Sequence, residues 1–248
     1  MSMKLSYMTE CPESATIYKS ACYSAFAMVL LPYLLSWITI DLPTDYSQRV
    51  WFDVAYHVLN FAAAAIIFFV FLRDYFLIVR INTKKILLTA LIGAAIMIAL
   101  GITMWFVGAF LGNGVLAEGM LPIIEIELFG MASALMIYQP VFGILIVAVL
   151  TPFTIGCLLY GGVFAPLANK WPGLAYVVFA VVLAIPRVIY ALTFWYWFDE
   201  MILYLVQLPI HLIACSLYQR TDSIWTPIFA LMAANTAMCI FLCVFYLI

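Results

Sequence analysis

From about residue 20 onward the chain is a succession of long apolar runs, broken only by short clusters of charge, proline and glycine. Phe61 to Leu72 and Ile86 to Gly101 carry no charge at all. A helix that is apolar all round has no face to offer water, so it must be buried in protein or in lipid. With 68% apolar residues and only 9% charged, the chain lacks the polar surface that a soluble domain of its length needs. A helix crossing about 30 Å of hydrocarbon takes roughly 20 such residues, and several runs reach that length.

Apolar length and boundary residues predict spans at about 21–40, 52–72, 86–111, 142–168, 173–196, 201–218 and 226–247, each starting or stopping at Pro, Gly or charge. The fold class that follows is an all-α polytopic membrane helix bundle of seven transmembrane helices, with residues 1–20 as a cytoplasmic segment and 21–248 as one transmembrane domain. The first 20 residues hold Lys4, Glu10, Glu13 and Lys19 and show no apolar stretch ending in a small-residue cleavage site, so no removable signal peptide is expected. An eighth helix forms if Leu121 to Gln139, with Glu125 and Glu127 near its start, also crosses; it reads instead as an outer re-entrant or interfacial segment. Basic residues set the orientation. An internal N-terminus places Lys4, Lys19, Arg73, Arg80, Lys84, Lys85, Lys170 and Arg220 in the cytoplasm, whereas a spanning 121–139 would send Lys170 and Arg220 outside.

The net charge of −2 and the absence of a basic run exclude nucleic acid as a partner. The six cysteines contain no C-x-x-C pair and read as small buried hydrophobes. No G-x-S-x-G, H-E-x-x-H, Walker loop or G-x-G-x-x-G is present, so no catalytic or phosphate-binding signature stands out.

Polar residues within apolar runs are the candidates for a site, because each ionisable group at the bilayer centre costs roughly 2.5–3.5 kcal/mol on insertion scales. Arg187, directly after Pro186, needs a counter-group or a wet cavity, and Asp53, Glu125 and Glu127 are the acidic candidates. Tyr204, Gln207, His211, Cys215 and Tyr218 recur at three or four residues, one helical face that is expected to look inward. His211 and Cys215 alone make no metal site, and with His57 the only other histidine, no metal or other cofactor is expected. Asn235, Cys239 and Cys243 repeat every four residues, and Asn235 is expected to hydrogen-bond across helices.

Residues Leu217 to Ile228, LYQRTDSIWTPI, followed by Asn235, resemble the third motif region of the CAAX prenyl protease and bacteriocin-processing (CPBP) intramembrane protease family, where a similar turn leads into a helix bearing H-x-x-x-N. Leu158 to Leu167, LLYGGVFAPL, resembles the surroundings of that family's E-E-x-x-x-R-G, and Pro186 to Phe194, PRVIYALTF, its F-x-x-x-H helix with Tyr190 at the aromatic position. The three segments keep the family order over about residues 142–248; the first 140 residues share only hydrophobicity.

The resemblance implies the family fold and argues against its chemistry. The glutamates that activate water fall on Gly156 and Cys157, the arginine on Gly161 and the histidines on Phe194 and Leu231; only Asn235 remains. Gly, Phe and Leu neither accept a proton nor ligate a metal. The chain is therefore expected to be a catalytically degenerate CPBP-like protein, a pseudoenzyme that binds a membrane protein or peptide partner among membrane lipids, as a bacteriocin self-immunity or regulatory factor does. Arg187, Tyr190, Gln207, His211, Asn235, Glu125 and Glu127 are its cavity or binding candidates. Two other readings stay open: an active intramembrane endopeptidase with a displaced constellation of Glu125, Glu127 and His211, and a small-molecule transporter, for which no duplicated half is visible.

Overall fold

The computed structural model describes residues 46–67, 74–111, 140–168, 170–194 and 197–247. Their regular structure is entirely helical. In chain order the rods are α1 (Tyr46–Ile67), α2 (Asp74–Leu111), α3 (residues 140–168), α4 (Pro172–Phe194), α5 (Trp197–Thr221) and α6 (Trp225–Leu247). The runs expected at 21–40 and 121–139, with Glu125 and Glu127, lie outside the described residues.

One boundary differs clearly from expectation. α2 begins at Asp74 rather than Ile86, so the basic connection through Arg80, Lys84 and Lys85 is helical. Arg and Lys are good helix formers, and a helix is free to continue past its apolar stretch into water. Charge marks where an uninterrupted apolar run starts, not where the helix does, since Tyr75 to Val79 ahead of Arg80 are apolar as well.

α3 is the hub. It begins as an α-helix at Pro140–Leu145, widens to a π-helix at Ile146–Leu150, returns to α at Thr151–Ile155, widens again at Gly156–Phe164 and ends as α at Ala165–Ala168. α1, α4, α5 and α6 all pack on it, while α2 lies along α5 and α6. Its second π segment is buried on every side, and Tyr160, Phe164, Ile155 and Leu158 are among the largest fully buried side chains.

Glycine lets two of these seams close. A β-carbon on Gly93 of α2 would collide with the Leu217 side chain of α5, and one on Gly156 of α3 would collide with Ile228 of α6. Asp222 makes the turn from α5 to α6. Its φ is 51°, the left-handed conformation that ends helices and that Asp tolerates better than most residues. Its N–H closes on the Tyr218 carbonyl at 2.7 Å. The Ser223 hydroxyl accepts the Trp225 N–H at 3.3 Å, opening α6. The Thr221 and Thr226 hydroxyls meet at 2.7 Å across the turn.

Two stretches, Thr83–Met104 of α2 and Val141–Phe164 of α3, are long and apolar enough to cross a membrane. α2 is apolar on both of its faces. Ile86, Ala90, Ala94 and Met97 pack inward, while Leu87, Leu88, Leu91, Ile92 and Ile96 are exposed.

Candidate functional site

Polar side chains converge on the α3, α4 and α5 packing. The stripe on α5 turns inward: Gln207, His211, Cys215 and Tyr218 are buried and Tyr204 is half-buried. Successive members lie three or four residues apart, so one helical face carries them all.

Arg187 meets this stripe. Its Nη2 donates to Oε1 of Gln207 at 2.7 Å, across the α4/α5 seam. The sequence called for a counter-group or a wet cavity, with Asp53, Glu125 and Glu127 as the acidic candidates, whose side chains lie outside the described residues; among the described residues the structure supplies an amide oxygen one turn before His211. The Tyr204 hydroxyl donates to the Ala180 carbonyl at 3.1 Å, and the Tyr176 hydroxyl to Oε1 of Gln219 at 3.0 Å. These contacts tie two antiparallel helices along most of their length.

His211 faces the hub helix. Its Nδ1 shares a 2.5 Å hydrogen bond with the Tyr160 hydroxyl, and the ring tautomer decides which atom donates. Around the pair stands an aromatic wall. Tyr160 stacks on Phe179 at 5.4 Å and 12°, and Phe164 sets its edge against Phe179, Tyr176 and Tyr218. Aromatic pairs at these separations add about 0.5–1.5 kcal/mol each beyond their buried area. His211 has no exposed surface. Tyr160 escaped the sequence reading, although a lone hydroxyl between the apolar Leu158-Leu159 and the Gly161-Gly162 pair was the available signal.

The α3/α6 seam carries Gly156, Cys157, Gly161 and Leu231, onto which the resemblance maps catalytic residues of the family. α6 runs antiparallel to α3, with Ile228 on Gly156 and Asn235 on Val147, whose carbonyl accepts from Nδ2 at 2.7 Å. Gly156, Cys157, Gly161 and Leu231 are all buried. Ile228 occupies the space into which any side chain at 156 would grow. Cys157, Cys215 and Cys239 are buried inside the packing. Tyr190 and Phe194 belong to α4, with side chains outside the described residues.

The chemistry on offer is accordingly narrow. Among the described residues no group of three or more His, Cys, Asp or Glu is placed to hold a metal. What is present is a hydrogen-bonded tyrosine and histidine, an arginine on an amide and an asparagine on a backbone carbonyl. Comparison with family models, with curated proteins and with solved structures finds no match to this chain.

Proposed function

We propose that the chain is a multi-pass membrane protein of seven spans with a CPBP-like fold, which acts by binding a membrane protein or peptide partner and not by hydrolysing peptides. The observation that carries the reading is the closure of the α3/α6 seam. Where the family would need a carboxylate at 156, Ile228 leaves no room for a single methyl group, and the facing Leu231 is fully buried. A water-activating pair needs both a proton acceptor and a water. At 156 the seam as packed carries no acceptor, and a side chain placed there would have to displace Ile228.

The displaced constellation is the weaker reading, because His211 is sealed within the aromatic wall with its Nδ1 already engaged by Tyr160.

Membrane residence is supported by the outward face of α2 and by the ends of α4. Trp171, just before α4, and Trp197 and Phe198, just after it, are all exposed. Aromatic residues of this kind favour the two water interfaces of a bilayer, and the 23 residues between them rise about 34 Å, close to the hydrocarbon thickness plus its margins. The Tyr176 to Gln219 bond brings the start of α4 beside the end of α5, so Lys170 and Arg220 share one end. Asp199 and Glu200 begin α5 at the other. The basic end is the cytoplasmic one under the charge rule, and with seven spans the N-terminus shares that side.

The deciding experiment offers peptides to the purified chain in detergent, including a C-terminally prenylated peptide and a leader-bearing precursor. No cleavage above a His211→Ala control is expected. Turnover abolished by that substitution would overturn the non-enzymatic reading.

A further inference from the structure

The middle of α3 presents one backbone acceptor to two rival donors. In α winding the Thr151 N–H would bond the carbonyl four residues back, that of Val147. Here it bonds Ile146, the five-residue step of a π turn. The residue that would serve Val147 at the same step is Pro152, which has no N–H. The Val147 carbonyl is buried and left to Asn235, whose Nδ2 reaches it from α6. Asn235 is itself held on one side only: its buried Oδ1 has no hydrogen-bond partner among the described residues.

We propose that α3 is a two-state element hinged at Pro152, in which Asn235 and Thr151 compete for the Val147 carbonyl. Asn235 holds the π-wound state. Its withdrawal hands Val147 back to Thr151 and lets the segment rewind as an α-helix, the commoner winding. This device goes beyond partner binding and stands whether or not the chain hydrolyses anything. It also explains Pro152, which by withholding an N–H keeps the wide turn dependent on a side chain of another helix.

Rewinding has a geometric signature. Removing the extra residue from the wide turn rotates the segment before it by about 100° relative to the rest of α3. Each residue there takes the place its predecessor held. Ile144, exposed here, would enter the place of buried Gly143, whereas Leu145 would move into the exposed place of Ile144.

The test places a nitroxide at Ile144→Cys or Leu145→Cys in the full chain, with native cysteines replaced by alanine, in phosphatidylcholine vesicles, and reads collision with dissolved oxygen. Asn235→Leu, which removes the rival donor, should drop accessibility at 144 to that of a buried site while 145 stays high. Pro152→Ala supplies the N–H that serves Val147 at the five-residue step, so in that background Asn235→Leu should leave 144 accessible. A folded Asn235→Leu chain with an unchanged signal at 144 would overturn the proposal. Should that variant fail to fold, the Pro152→Ala, Asn235→Leu double variant decides, and a fall at 144 to the accessibility of a buried site there overturns the proposal equally.

Discussion

Arg187 of α4 donates from Nη2 to the side-chain carbonyl oxygen of Gln207 on α5, 2.7 Å away. The pair joins a charged donor to a neutral acceptor, so its two halves are not equivalent. Removing the arginine deletes a charge and leaves an amide, while removing the glutamine leaves a cation short of an acceptor. Hydrogen bonds to charged groups contribute about 1.5–3 kcal/mol, and the larger penalty falls on the charge left behind. Gln207→Leu is therefore expected to lower thermal stability in detergent more than Arg187→Leu does. Arg187→Lys should fall between native and Arg187→Leu, because an ammonium lacks the planar fork. The reverse order for the two leucine variants would mean that the guanidinium is held chiefly by other groups.

The same reasoning applies to the sealed pair on the hub. Tyr160→Phe removes one hydroxyl from the 2.5 Å bond with His211 and changes almost no volume. Leaving a buried ring nitrogen without that partner costs about 1–3 kcal/mol. His211→Phe should cost a similar amount, and the double variant should cost less than the two singles added together, by about 0.5–3 kcal/mol for residues in contact. Additive losses in denaturant or thermal unfolding would show that the bond carries no coupling energy.

Gly156 gives a steric prediction. A methyl group at 156 would run into Ile228, and overpacking of a close seam costs typically 1–3 kcal/mol. Gly156→Ala should lower the melting temperature, and adding Ile228→Ala should recover part of the loss by vacating the colliding atoms. Gly156→Glu, the residue type of the resembled family, should yield misfolded chain rather than peptidase. A stable Gly156→Glu protein would show that the seam opens more readily than its packing implies.

The parts of this arrangement that could be read from the sequence are those set by local pattern. The inward face of α5 follows from the three- and four-residue spacing of Gln207, His211, Cys215 and Tyr218, and burial of four-spaced polar residues within an apolar run leaves one face for them. The cross-helix bond of Asn235 follows from the cost of an unsatisfied amide in an apolar helix. Its partner was not legible: Val147 stands 88 residues away, and its carbonyl is free only because of the wide turn and Pro152. The π winding itself has no residue signature in IVAVL, since a side chain from another helix holds it open. Arg187 likewise pointed correctly to a need but not to Gln207, because Coulomb reasoning favours carboxylates and says nothing of an amide that tertiary packing brings near. The early start of α2 was hidden by charge, since Arg80, Lys84 and Lys85 interrupt the apolar run while the helix continues through them.

The α5/α6 turn is a local feature with a clear expectation. Asp222 holds φ at 51°, where glycine is unstrained and a β-carbon costs roughly 1 kcal/mol. Asp222→Gly should leave stability unchanged or raise it slightly, and Asp222→Val should lower it, since branching at the β-carbon makes that conformation an outlier. Equal stability of the glycine and valine variants would place the turn's energetics in the Thr221, Ser223 and Thr226 hydroxyls instead.

Sidedness gives the last prediction. Lys170 and Asp222 are exposed and lie at the same end of the α4/α5 pair, so both must face one compartment whatever the number of spans before them. With 121–139 not crossing, that compartment is the cytoplasm, where basic residues near span ends are retained. Single cysteines at Lys170 and Asp222, in a chain whose native cysteines are replaced by alanine, should be silent to a membrane-impermeant maleimide applied to intact cells and react once the cells are opened. A cysteine at Phe198, at the far end of α4, should react from outside. If all three reverse, α3 to α6 are inverted, and residues 121–139 supply an eighth span. If Lys170 and Asp222 report opposite sides, the antiparallel α4/α5 hairpin is not a transmembrane pair, and the membrane placement of the whole bundle falls with it.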